Sequence, residues 1–126
     1  MELLELTRKL ISIPSFVDKK TDESQLGAFI FDYLQGLGYL TVEKQPIEGN
    51  RFNVIAHDRH PPRLMFVCHM DTVLPSEGWQ RDPFGGEVEG DRLYGLGACD
   101  MKGGTASLLH ALQSFENTQG LYLLFD

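Results

Sequence analysis

A chain of 126 residues, 42% of them hydrophobic, is long and apolar enough to bury a core, which excludes a disordered segment and makes one domain the expectation. Lys and Arg number 11 against 18 Asp and Glu, a net charge of −7, and this acidic balance argues against the basic footprint that nucleic-acid binding requires. No apolar run reaches membrane-spanning length, and Met1-Glu2-Leu3-Leu4-Glu5 lacks the basic flank and apolar core of a signal peptide, so a soluble, cytoplasmic protein is expected.

Leu3, Leu6 and Leu10, with Leu4 and Ile11 beside them, predict a helix over residues 2–12. Pro14 ends it, because the residue before a proline is pushed out of the helical region. Leu26, Phe29, Ile30, Tyr33, Leu34 and Leu37 share one helical face and predict a second helix. Thr21 or Asp22 can cap its start, and Gly36 or Gly38 can end it. Residues 39–47 and 51–57 read as strands, the second with Phe52, Val54 and Ala56 on one face. His57-Asp58-Arg59-His60-Pro61-Pro62 reads as a solvated turn; its histidines are ligand types, but nothing nearby completes a site.

Leu64-Met65-Phe66-Val67-Cys68 is continuously apolar, the pattern of a strand buried on both faces of a parallel sheet. His69 then falls just past its C-terminal end, where open α/β sheets bind ligands. Residues 74–86 form a loop in which Trp79 and Phe84 either line a site entrance or anchor the loop. Residues 87–94 read as a hairpin turning at Gly90-Asp91. A helix is expected from about residue 102 to 115, with Thr105, Leu108, Leu109, Leu112 and Phe115 on one face; His110 lies on it at no useful spacing. Leu121-Tyr122-Leu123-Leu124-Phe125 is a second fully apolar strand, with an unpaired edge expected there. The elements predict an α/β fold: a mixed, largely parallel sheet flanked by helices.

The chemistry concentrates in His69-Met70-Asp71-Thr72-Val73 and in Gly95-Leu96-Gly97-Ala98-Cys99-Asp100-Met101-Lys102-Gly103-Gly104. A phosphate loop competes for the second stretch. Gly95 and Gly97 fit the dinucleotide fingerprint, but Asp100 stands where its third glycine belongs and would repel a pyrophosphate. Gly103 after Lys102 departs from the other phosphate pattern. A metal reading uses the residues better: the glycines turn the chain sharply, and the positive end of the following helix stabilises Asp100 as an anion. Taken alone, Asp100 reads better as a helix cap. His69 and Asp71 tip the balance, because residues i and i+2 of an extended segment project to one side, letting Asp71 receive the second ring N–H of His69. Cys68 and Cys99, too few for a disulfide framework, could ligate zinc as thiolates. As extended neighbours of the proposed ligands, both are expected to point into the core instead.

These two stretches resemble the leading signatures of the zinc-dependent exopeptidase and deacylase family, whose members include acetylornithine deacetylase, succinyl-diaminopimelate desuccinylase, aminoacylase and glutamate carboxypeptidase. Leu10-Ile11-Ser12-Ile13-Pro14-Ser15, Trp79 with Arg81-Asp82-Pro83-Phe84, and Gly120-Leu121-Tyr122-Leu123-Leu124-Phe125 carry the resemblance across nearly the whole chain. Tyr94-Gly95-Leu96-Gly97 and the Trp79 loop lean toward acetylornithine deacetylase-like members.

The resemblance implies that His69 ligates one zinc, that Asp100 bridges two zinc ions through a cis Asp100–Met101 peptide, and that the catalytic-site carboxylate Asp71 clamps His69. It leaves cobalt open as the metal and a homodimer open as the assembly. It implies hydrolysis of the amide bond of small N-acyl amino acids or peptides, with neither a membrane nor a nucleic acid as partner. The family's adjacent glutamates, remaining ligands and lid domain lie beyond Asp126. The chain therefore reads as the N-terminal portion of a catalytic domain, inactive alone. The competing reading is a non-catalytic metal-binding or interaction module.

Overall fold

The computed structural model of the chain describes all 126 residues. Two helices open it, α1 over Leu3–Ile11 and α2 over Ser24–Gly36, both where the apolar spacing places them. The Asp22 carboxylate accepts the Ser24 N–H at 2.9 Å, so one of the orphan amides that begin α2 has its partner.

Strands β1 (Thr41–Glu48) and β2 (Arg51–His57) form an antiparallel hairpin. Strand β3 (Leu64–Cys68) follows the double-proline turn. A separate small hairpin joins β4 (Glu87–Glu89) to β5 (Arg92–Tyr94). Helix α3 (Gly103–Leu112) and strand β6 (Leu121–Phe125) complete the chain. The main sheet runs β1-β2-β6-β3, with β2 and β6 antiparallel and β3 and β6 parallel. It is mixed, as expected, but not largely parallel: two of its pairings are antiparallel and one is parallel, because the β1–β2 hairpin adds onto β6 in the opposite sense.

Alternation on β2 and β6 turns Val54, Ala56, Leu121, Leu123 and Phe125 to one face. There they meet Leu6 and Leu10 of α1, Leu26, Ile30 and Leu34 of α2, and Ala106, Leu109 and Leu112 of α3 in one buried cluster. Each fully buried Leu or Phe side chain contributes roughly 1.5–3 kcal/mol of apolar transfer. No helix is long and apolar enough to cross a membrane.

β3 departs from the expectation of burial on both faces. Cys68 is buried, but Leu64, Met65, Phe66 and Val67 are exposed. The physical reason is position: β3 is an edge, bonded to β6 on one side only. Residues 121–125, where an open edge was expected, form instead an inner strand with a partner on each side.

Asp58 pins the turn that precedes β3. Its carboxylate, 3% exposed, accepts from Thr118 Oγ1 and from the backbone N–H groups of His60, Gly120 and Leu121. Burial pushes this carboxyl up, but the four donors outweigh burial and hold it well below the usual carboxylate range. His57, the last residue of β2, stacks on Tyr122 at 5.1 Å, while His60 lies in the turn 3.3 Å from Asp58, so both histidines are held by structural contacts.

Candidate functional site

β3 delivers the chain to His69-Met70-Asp71-Thr72, and that stretch is tied on both sides. Met70 N–H donates to the Asp126 carbonyl at 2.7 Å, and Thr72 N–H to the Ser15 carbonyl at 3.2 Å. The Met70 side chain is 2% exposed and joins the core, so alternation projects His69 and Asp71 outward together.

The glycine-rich stretch arrives from β5. Gly97 has a φ of 76°, and a Cβ there would lie 2.5 Å from Thr72 Cγ2, so the left-handed turn and the close approach both demand glycine. A single wide turn over Ala98–Lys102 follows, within which Asp100 and Met101 leave helical dihedrals. The Asp100–Met101 peptide is cis, as the resemblance implies. Met101 Sδ accepts the His69 N–H at 3.3 Å and joins the two stretches.

The result brings His69 Nε2 within 2.8 Å of Asp100 Oδ1. The other ring nitrogen, Nδ1, lies 3.0 Å from the Asp71 carbonyl oxygen and 3.4 Å from its carboxylate. Asp71 thus faces the ring, but the hydrogen-bond partner of Nδ1 is its backbone oxygen and not, as expected, its carboxylate. Burial pulls the imidazole pKa down, but the Asp100 hydrogen bond, the Asp71 carbonyl and the two carboxylate charges prevail and hold it above its ordinary value.

Two expectations need correction here. α3 begins only at Gly103, and the Asp100 side chain is 84% exposed, so Asp100 is not the helix cap and does not lie within the first turn of α3. Cys99 is exposed, not core, although Cys68 is buried as expected. Alternation between neighbours holds for an extended segment, and the wide turn that Gly97 starts is not one.

A cleft of about 320 Å³ opens over the pair, lined by His69, Asp100, Cys99 and Leu96, with Val73 and Trp79 on its flank. Phe84 stacks on Phe16 at 6.1 Å and anchors the loop, which separates its role from that of Trp79.

Lys102 is a residue that sequence reasoning missed, having used it only against a phosphate loop. It is 3% exposed, and its Nζ donates to the carbonyls of Leu10 at 2.9 Å and Ile13 at 2.7 Å, lashing the site turn to the end of α1. The available signal was a lone cation within a run of small and apolar residues. Its partners are carbonyls, not a carboxylate, and burial depresses its pKa from 10.5 to about 8. Between those two values the unfolded chain holds a proton that the folded chain has released, so stability rises with pH across that window. The full effect is about 3 kcal/mol. Denaturant midpoints measured from pH 7.5 to 10 are expected to show this rise relative to Lys102→Met, whose profile lacks it; parallel profiles would refute the assignment.

A histidine nitrogen and a carboxylate oxygen aimed at one another are donor types that zinc accepts, and the second ring nitrogen is held from behind. In chemistry the pair fits zinc. It does not close a site, because nowhere in the chain are three or more His, Cys, Asp or Glu side chains arranged so that they could hold one metal ion.

Residues 65–125 match peptidase family M20/M25/M40. The acetylornithine deacetylase of Salmonella arizonae is 39% identical over 132 residues, covering 96% of this chain and 34% of that protein. The succinyl-diaminopimelate desuccinylase of Wolinella succinogenes is 32% identical over 129 residues, covering 94% and 31%. The chain thus spans about a third of the length of these curated relatives. Two crystal structures share the fold at 21% identity. The M20 family metallo-carboxypeptidase Sso-CP2 of Sulfolobus solfataricus superposes with a TM-score of 0.83 over 100% of this chain and 30% of that one. Human carnosine dipeptidase 1 does so with 0.81 over 98% and 31%. By its sequence match over residues 65–125 and by its relatives, the chain is similar to members of peptidase family M20/M25/M40.

Proposed function

We propose that this chain contributes His69, Asp71 and Asp100 to the zinc centre of an amide hydrolase that acts on N-acyl amino acids or small peptides, in the manner of an acetylornithine deacetylase. The observation that carries the reading is the 2.8 Å approach of His69 Nε2 to Asp100 Oδ1 at the C-terminal end of a parallel strand. His69 and Asp100 hold the metal, a pair of zinc ions or cobalt in their place, and Asp71 orients the His69 ring. When bound, zinc polarises an amide carbonyl and lowers the pKa of water. The chain's own residues fix the ligand atoms and shape one wall of the cleft.

Two donors do not close a coordination shell. The chain, a third of its relatives' length, is in this reading the N-terminal portion of a catalytic domain and is inactive alone. A cytoplasmic location and a homodimeric whole belong to the same proposal. The test grafts residues 1–126 onto the remainder of the Salmonella arizonae deacetylase. With zinc the graft is expected to hydrolyse N-acetylornithine, and a chelator to stop it, while the 126-residue chain stays silent. A folded graft that binds zinc without turnover would sink the hydrolase reading in favour of a metal-binding module. Turnover by the chain alone would sink the assignment of partial ligation.

A further inference from the structure

Trp79 is the chain's one tryptophan, and it is 37% exposed. It lines the cleft that also holds His69 and Asp100. Its own loop does not depend on it for anchoring. Arg81 reaches Glu87 and Glu89 of the small hairpin and lies 3.9 Å over the Tyr94 ring. The Pro83 carbonyl accepts the Leu96 N–H at 2.7 Å, and Phe84 packs on Phe16. The loop is therefore tied to the hairpin, to the glycine-rich stretch and to the N-terminal segment through other residues. The indole is partly exposed at the cleft, and Val73, 76% exposed, lines the same space. Large apolar side chains held in the open beside two aligned polar ligands are the makeup of a binding subsite, in which polar groups orient the ligand and apolar ones grip it.

We propose that Trp79, with Val73, forms an apolar specificity subsite that grips a hydrophobic group next to the scissile amide, so that substrates bearing longer aliphatic acyl chains are preferred over acetyl ones. This rests on the hydrolase reading for its scissile bond, but the subsite belongs to residues of this chain and binds without turnover. Trp79 acts on specificity; it touches the substrate and moves no proton.

The sole tryptophan makes the test direct, since all indole emission reports this cleft. The 126-residue chain is titrated with N-acetylglycine, N-butanoylglycine and N-hexanoylglycine. The expected result is a blue shift of Trp79 emission, with affinity rising roughly fourfold for each methylene that becomes buried. Val73→Ser, at an exposed position, is expected to flatten the series. Trp79→Ala, followed by calorimetry, is expected to abolish it, and Trp79→Phe to keep it in part. Equal affinity along the series, no emission change up to the solubility limit, or a gradient untouched by Trp79→Ala would overturn the subsite. Metal analysis and turnover of the graft separate this inference from the metal reading, because two donors do not close a site in the 126-residue chain. An acyl gradient in the chain beside a folded graft without zinc-dependent turnover keeps the subsite and removes the hydrolase, and a working graft without a gradient in the chain does the reverse.

Discussion

His69→Ala and Asp100→Ala, each made in the graft onto the deacetylase relative, are expected to remove nearly all metal-dependent hydrolysis, and the double variant to lose little more. The two side chains meet at 2.8 Å and, in the proposed reading, serve one metal centre, so either loss would empty the same site. Residues that act as a unit give such non-additive losses, of ~10⁴-fold or more for each single change. Asp71→Asn is expected to behave differently. Groups that hold a ligating histidine from behind are worth roughly 10–100-fold. The nearer contact to His69 Nδ1 is the Asp71 carbonyl at 3.0 Å, which asparagine keeps, while the carboxylate at 3.4 Å is lost. The effect should therefore lie near tenfold, at the mild end of that range. Steady-state hydrolysis of N-acetylornithine, with bound zinc measured by metal analysis, checks the order. An Asp100→Ala graft that retains its zinc and its rate would show that the pair is a structural hydrogen bond and nothing more.

His69 and Asp71 were legible in the sequence because their placement depends on a local rule. Met70 must point into the core, and alternation then sends His69 and Asp71 outward together. The second helix was legible for the same reason, its apolar spacing being a local property of the chain. What sequence could not give is set by long-range placement. Continuous apolarity in residues 64–68 indicates a strand, but not whether that strand lies inside a sheet or at its edge, where β3 is found. The exposure of Cys99 follows from the backbone of one turn, which breaks the alternation that predicted burial. Lys102 looks in sequence like a surface cation. Its burial is created by the end of α1, whose Leu10 carbonyl receives its Nζ from 92 residues away. Leu64, Met65, Phe66 and Val67 fit the same logic: their apolarity marks a strand, and their exposure follows from the edge position of β3.

Gly97→Ala is expected to be among the most damaging small substitutions in the chain, because two independent penalties fall on one atom, as they do also at Gly120. The backbone φ of 76° is left-handed, which costs a residue with a Cβ about 1–2 kcal/mol. The new Cβ would also stand 2.5 Å from Thr72 Cγ2, inside any real contact distance. Thr72 cannot simply give way, since its N–H is bonded to the Ser15 carbonyl and its side chain is 9% exposed. Overpacking of that kind adds about 1–3 kcal/mol. The sum, about 2–5 kcal/mol, is a large part of the stability of a domain this size, and corresponds to a fall in Tm of roughly 10 °C or more. Two other glycines separate the contributions. Gly90 has a φ of 61° and nothing within 4 Å of a new Cβ, so Gly90→Ala should show the backbone penalty alone, about 1–2 kcal/mol. Gly36, at the end of α2, has no positive φ and open space, so Gly36→Ala should be neutral or stabilise by up to ~1 kcal/mol. Thermal melts followed by circular dichroism order the three. If Gly97→Ala melts within error of Gly90→Ala, then Thr72 is free to move and the approach between the two ligand-bearing stretches is loose. If it melts far below, the contact that fixes Gly97 against Thr72 is the same one that sets the spacing of His69 and Asp100, and in the graft the variant should lose activity at temperatures where it is still folded.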